Sequence, residues 1–255
     1  MQKFKLTKFI FLIGGMDLEM ATIIGILDLH GLQYVNKKLS WGATLSAYEA
    51  YFNDENTFVG IELTEDIKPP KHYVCIDHHN EKSHKPSSLQ QIAVLLELTL
   101  NRDQLLICAN DAGYIPAMEA MGASKEEIAA IRMEDRKQQG VTEEDERLAE
   151  VSIRENMIIQ DELIVIKSLT SRFSAITDRL YPYRNLLIYT DDSLTYYGAH
   201  IKELVRSFSH LIKEGKAYNG GGDDGFFGIS MKSLSPDTFI QLKDKLILSI
   251  SKLKQ

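Results

Sequence analysis

Short apolar runs alternate with stretches of helical spacing through the first half of the chain. Phe9–Ile13 (FIFLI) is unbroken and ends at Gly14-Gly15, as expected of a strand buried on both faces. Residues 18–30 place Met20, Ile23, Ile24 and Leu27 on one helical face. A second helix is expected over 40–52, opened by Ser40. Residues 57–63 (TFVGIEL) and 72–76 (HYVCI) read as strands, 89–100 as a helix, and 105–109 (LLICA) as another strand. Strands alternating with helices imply βαβ units and a doubly wound parallel sheet.

Residues 123–156 change character. They are densely charged and helical in pattern, and read as a solvated connector. Thr142 and Asp145 have the spacing of a capping box variant at the start of its second helix. A second α/β unit follows. Its strands are expected at 163–166 and 186–189, its helices at 171–180 and 201–213. Then come Gly220-Gly221-Gly222 and a last strand–helix pair. The expected organisation is a doubly wound parallel-sheet domain over 1–122, a helical connector over 123–158 and a smaller α/β domain over 159–255.

Composition narrows the class. With 44% hydrophobic and 25% charged residues, the 255-residue chain has the balance of a folded globular protein. A net charge of −7 weighs against wrapping long duplex DNA. Cys75 and Cys108 both lie in apolar runs and read as buried free thiols, which fits a reducing cytoplasm. Lys3, Lys5 and Lys8 precede Phe9–Ile13 in the outline of a secretory leader, but that run is shorter than the roughly 7–15 residues a leader core uses. No stretch approaches the roughly 20 apolar residues of a membrane span. A cytoplasmic protein without membrane contact is expected, and a homodimer is compatible with the sequence.

Four acidic sites follow expected strands: Asp17-Leu18-Glu19, Glu62, Asp77-His78-His79 and Asp111. Parallel strands share one C-terminal edge, so these sites are expected to converge. Carboxylates gathered around an imidazole suit a divalent cation such as Mn²⁺ or Mg²⁺. Taken singly each residue has a plainer use, since an acid after a strand is often a helix N-cap.

Ile76-Asp77-His78-His79 resembles the motif that names the DHH phosphoesterase superfamily. Asp17-Leu18-Glu19 resembles its first motif, an Asp-x-Asp after strand one. Glu62 falls where that family has a bridging Asp, and Asn110-Asp111-Ala112-Gly113-Tyr114 resembles its fourth motif. Gly220-Gly221-Gly222-Asp223 through Gly228 resembles the glycine-rich signature of its accessory domain. The resemblance runs from about residue 9 to residue 230. It implies a metal-dependent phosphoesterase with its cleft between the two domains, acting on a small phosphorylated or nucleotide ligand. It further implies Asp77, His78 and His79 as catalytic, and Asp17, Glu19, Glu62, Asp77, His78 and Asp111 as ligands of one or two divalent ions, Mn²⁺ ahead of Mg²⁺. Glu19, Glu62, His78 and Asp111 would form the better-preserved site; Asp17, Glu62 and Asp77 would form the poorer one. Gly220, Gly221, Gly222 and Asp223 would meet the substrate. Arg172 is a candidate cation for its phosphate, as are Lys82 and His84, and Arg132 and Arg136 on one helix face.

The chain departs from the family pattern at Ile13, where the first motif usually has His, and at Glu19, Glu62 and Asp223, which replace Asp, Asp and His. These departures make a second ion weak or absent. They also keep open a catalytically impaired module that binds a nucleotide or a protein. Gly14-Gly15-Met16-Asp17 superficially resembles the phosphate loop of ATP pyrophosphatases, but Ile13 and Leu18 stand where that loop needs hydroxyls. Phe226 and Phe227 read as core, with base stacking as the alternative.

Overall fold

Phe9–Ile13 forms the first strand, β1, of a four-stranded sheet in a computed structural model that describes residues 8–39, 42–221, 225–230 and 235–253. The elements of the first half are α1 (Leu18–Leu29), β2 (Gln33–Asn36), a 3-10 turn (Leu45–Tyr51), β3 (Thr57–Ile61), β4 (Tyr73–Ile76), α2 (Ser88–Leu95), α3 (Arg102–Ala120) and α4 (Lys125–Gln138). The sheet order is β2-β1-β3-β4, with all pairs parallel. Alternation along the strands explains the unbroken apolar runs. Phe11, Ile13, Val59 and Ile61 face α1, α2 and α3, packing with Met20, Ile23, Leu27, Ile92 and Ile107. Leu12 and Phe58 face the other way, against Leu45 and Tyr48 of the 3-10 turn.

The chain divides at Gly140 into two compact units, Met1–Gly140 and Val141–Gln255. The charged stretch expected as a connector therefore supplies α4 to the first unit and α5 (Glu143–Asn156) to the second. Both helices open on a capping box, Ser124 with Glu127 and Thr142 with Asp145. The second unit continues with β5 (Met157–Gln160), β6 (Leu163–Lys167), α6 (Ser174–Leu180), β7 (Asn185–Tyr189), β8 (Ser193–Gly198), α7 (Ile201–Ser207), α8 (Ser209–Lys213), β9 (Ala217–Gly220), β10 (Phe226–Ser230) and α9 (Pro236–Leu253). Its mixed sheet runs β5-β6-β7-β8-β10-β9, with only β6 and β7 parallel. Val165, Leu187 and Phe227 pack with α7, α8 and α9, while Ile166, Leu186 and Ile188 pack with α5 and α6. The chain is thus an α/β protein with a parallel sheet and a second, mixed one.

Several expected elements differ. Residues 105–109 are not a strand but lie inside α3, which begins at a capping box of Asn101 with Gln104. A short apolar run fits a buried helix as well as a buried strand, and here the cap upstream decides. The helix expected over 40–52 is the 3-10 turn that follows Thr44, and Ser40 lies outside the described residues. α2 stops at Leu95, just before Glu97 takes a left-handed φ of 55°. The helix expected over 201–213 breaks at Phe208, which is buried against Phe227. Among the described residues, no helix is long and apolar enough to cross a membrane.

Candidate metal centre

The register Ile13↔Ile61↔Ile76 brings the ends of β1, β3 and β4 level. The strand order reverses direction between β1 and β3, the position where open α/β sheets bind ligands. Asp17 follows β1, Glu62 follows β3, and Asp77-His78-His79 follows β4. Two backbone features aim these side chains. Gly14 runs so close to β3 that an added Cβ would meet Ile61 O at 2.0 Å and Glu62 O at 2.6 Å. Glu62 itself takes φ +54°, a left-handed conformation costly for a residue with a side chain.

Asp111 reaches the same place from a helix. α3 loses helical geometry at Gly113 (φ −162°) and Tyr114 (φ +58°), just beyond Asp111. Glu19 sits in the first turn of α1 and is buried, with Oε1 accepting from the Leu89 amide of α2 at 3.0 Å.

Four atoms meet here. His78 Nε2 lies 2.6 Å from Asp111 Oδ2, and 3.6 Å from both Glu62 Oε1 and Glu19 Oε2. All four are buried, and none makes a well-directed hydrogen bond among the described residues. Three carboxylates thus crowd one imidazole, and like charges held this close favour a bound proton or cation among them. Glu62, His78, His79 and Asp111 offer ligand atoms all within 4.8 Å of one another. Oxygen donors with one or two imidazole nitrogens suit a hard or borderline divalent ion. The side chains present therefore fit a metal, which Glu62, His78, His79 and Asp111 would hold with Glu19 Oε2 close by.

The electrostatics agree. Burial pushes Glu19 up to about 8, and the charges of Asp111 and Glu62 add to this. Burial likewise raises Asp17 to about 7, aided by Glu62 and Asp111. Burial opposes charge on His78, but Asp111, Glu19 and Glu62 outweigh it and raise its pKa to about 12. The carboxylates thus hold a proton or a cation among them.

Asp77 and Asp17 are engaged differently. Burial would raise Asp77, but the His79 amide and the Lys82 ammonium outweigh it and hold its pKa low. Asp77 Oδ1 accepts from His79 N at 3.0 Å and lies 3.1 Å from His79 Nδ1, while Oδ2 accepts from Lys82 Nζ at 3.0 Å. Asp17 is the N-cap of α1, with Oδ1 accepting from Met20 N at 2.8 Å. The plainer use of an acid after a strand thus holds for this residue.

The remaining candidates have surroundings of their own. Arg132 and Arg136 are buried in α4. Arg172 is exposed, with its amide donating to Thr170 Oγ1. His84 is exposed. Gly220 ends β9 and Gly221 takes φ +72°; Gly222 and Asp223 lie outside the described residues. Phe227 is fully buried and Phe226 packs on Tyr197 and Tyr218, so both are engaged in protein contacts of β10. Two further groups bear on the site without having been singled out as functional in the sequence. Asp135 accepts from the Leu18 amide, and Asn110 accepts from Arg132. Asn110 is marked in the sequence only as the residue before Asp111, and the signal for Asp135 is its place with Arg132 and Arg136 on one face of a charged helix.

No family model and no curated protein matches the sequence. Solved structures do. The fold is that of DHH-domain proteins. It resembles the pGpG-specific phosphodiesterase PggH from Vibrio cholerae, at 12% identity and a TM-score of 0.50, over 96% of this chain and 98% of that one. It resembles an exonuclease RecJ bound to manganese, at 12% identity and a TM-score of 0.50, over 92% of this chain and 88% of that one. It also resembles a DHH domain from a member of a family of ribosomal proteins, at 11% identity and a TM-score of 0.50, over 94% of this chain and 86% of that one.

Proposed function

We propose that this protein is a metal-dependent phosphoester hydrolase acting on a small substrate such as a dinucleotide or short oligonucleotide. The observation that carries this reading is the convergence of Glu19 Oε2, Glu62 Oε1, His78 Nε2 and Asp111 Oδ2, buried and without hydrogen bonds among the described residues. Two proteins of the same fold are a phosphodiesterase specific for pGpG and an exonuclease bound to manganese, which makes Mn²⁺ the first ion to try. A divalent ion in such a site supplies a water of lowered pKa and positive charge for the phosphate oxygens.

The chain's own groups divide the remaining work. Glu19, Glu62, His78 and Asp111 hold the ion. Asp77 accepts from His79 Nδ1, which fixes the ring and leaves Nε2 to move a proton or hold a phosphate oxygen. Lys82, tethered to Asp77, places an ammonium close by for the same anion. The net charge of −7 disfavours long duplex DNA as substrate.

A second reading, ligand binding without turnover, is favoured by two observations. Ile13 is a buried apolar residue where the resembled motif usually has His, and Lys82 and His79 already engage the Asp77 carboxylate. Hydrolysis of dinucleotides, short oligonucleotides and pyrophosphate, each with Mn²⁺ and with chelator, separates the readings. Mn²⁺-dependent cleavage of one class supports the hydrolase; binding without cleavage in any divalent ion supports the second.

A further inference from the structure

We infer that Arg132 and Asp135 of α4 are positioning residues that hold the Glu19 and Asp111 carboxylates in register for the ion. The inference rests on the metal-centre reading above. Neither side chain belongs to the four converging atoms, so neither is a ligand; they act on the Leu18 amide beside Glu19 and on the Asn110 and Tyr114 side chains that flank Asp111.

Asp135 Oδ1 accepts from the backbone amide of Leu18 at 3.2 Å. That amide lies between Asp17 and Glu19 and is among the donors the first turn of α1 cannot satisfy internally. Asp135 Oδ2 accepts from Arg132 Nη1 at 2.7 Å and from Gln139 Nε2 at 3.0 Å. Arg132 Nη1 also donates to Asn110 Oδ1 at 2.9 Å. The guanidinium lies over the Tyr114 ring, 4.5 Å from its centre. Asn110 immediately precedes Asp111, and Tyr114 carries the positive φ at the bend just beyond it. One buried pair therefore grips the start of α1 on one side of the site and both flanks of Asp111 on the other.

The chemistry favours a retained role over a chance contact. Arg132 is 7% exposed and Asp135 4%. A buried ion pair gains little stability over apolar residues of the same volume, because desolvation cancels much of the attraction. Its fixed, directional hydrogen bonds are what apolar packing cannot replace. Groups that orient metal ligands from outside the ligand set typically contribute about 10–100-fold to metal affinity.

The test is Mn²⁺ titration by calorimetry on the full-length protein, with melting measured alongside for each variant. R132K keeps the charge but loses the planar fork and its stacking on Tyr114. D135A removes the acceptor for the Leu18 amide, and D135N returns an oxygen there. We expect Mn²⁺ to bind about 10–100-fold more weakly to R132K and D135A, with part of the loss recovered in D135N. R102A is the control: Arg102 and Glu127 also join α3 to α4, but through an exposed pair. It should bind Mn²⁺ as the unaltered protein does. If D135A does not fold, R132K carries the same expectation. The inference is overturned if R132K binds Mn²⁺ like the unaltered protein, or if R102A weakens binding as much. Failure of the unaltered protein to bind Mn²⁺ is a distinct result, which overturns the metal centre and this inference with it.

Discussion

His78 Nε2 stands 2.6 Å from Asp111 Oδ2, joining the end of β4 to the middle of α3. Two elements that share no hydrogen-bonded ladder meet at these atoms, with Glu19 and Glu62 completing the group. Removing the imidazole leaves three buried carboxylates facing one another. His78→Ala should therefore weaken Mn²⁺ binding by more than about 100-fold, beyond the loss typical of an outer group. Calorimetry measures this directly, and affinity within about tenfold of the unaltered protein would remove His78 from the ligand set.

Glu62 sits in a left-handed conformation that glycine adopts without cost. Glu62→Gly removes both that strain and one of the crowded carboxylates. In chelator, the variant should gain about 1 kcal/mol in urea denaturation. Mn²⁺ should then stabilise it much less than it stabilises the unaltered protein. A variant that loses stability, or that keeps the full response to Mn²⁺, contradicts this role.

The close approach of Gly14 to β3 fixes where Glu62 emerges. Gly14→Ala forces a Cβ against two backbone carbonyls, which cannot swing aside as a side chain can. A loss of about 1–3 kcal/mol in denaturant unfolding is expected, together with weaker Mn²⁺ binding. Unchanged stability would show that the strand ends are not locked here.

The raised acids set a pH dependence for the metal-free protein. Glu19 goes from an ordinary 4.5 to about 8, and Asp17 from 3.8 to about 7. Between those values the folded chain holds protons that the unfolded chain has released, so stability falls as pH rises from about 4 to about 8. His78 acts in the same sense. Its stabilisation is complete below 6.5 and declines as pH rises toward about 12. A divalent ion replaces these protons, so Mn²⁺ should raise the melting temperature more at about pH 8 than at about pH 6. An equal rise at both would argue that Glu19 and His78 are not its ligands.

Much of this arrangement was legible in the residues. β1, β3 and β4 are apolar runs ended by glycine or an acid, and a parallel sheet buried on both faces requires such runs. The acids after them converge because parallel strands share an edge. Other parts were not legible. LLICA carries no periodicity to separate helix from strand, so Asp111 reaches the site from α3 rather than from a strand end. β2 and β9 are short and polar and give no apolar signal. Asp135 was hidden in a charged helix, where its value lies in a backbone amide far away in sequence.

Anomalous diffraction from crystals grown with Mn²⁺ tests the central claim most directly. The account predicts one dominant peak bonded to Glu19 Oε2, Glu62 Oε1, His78 Nε2 and Asp111 Oδ2. Manganese bound elsewhere, or absent from these four atoms at saturating concentration, would contradict it.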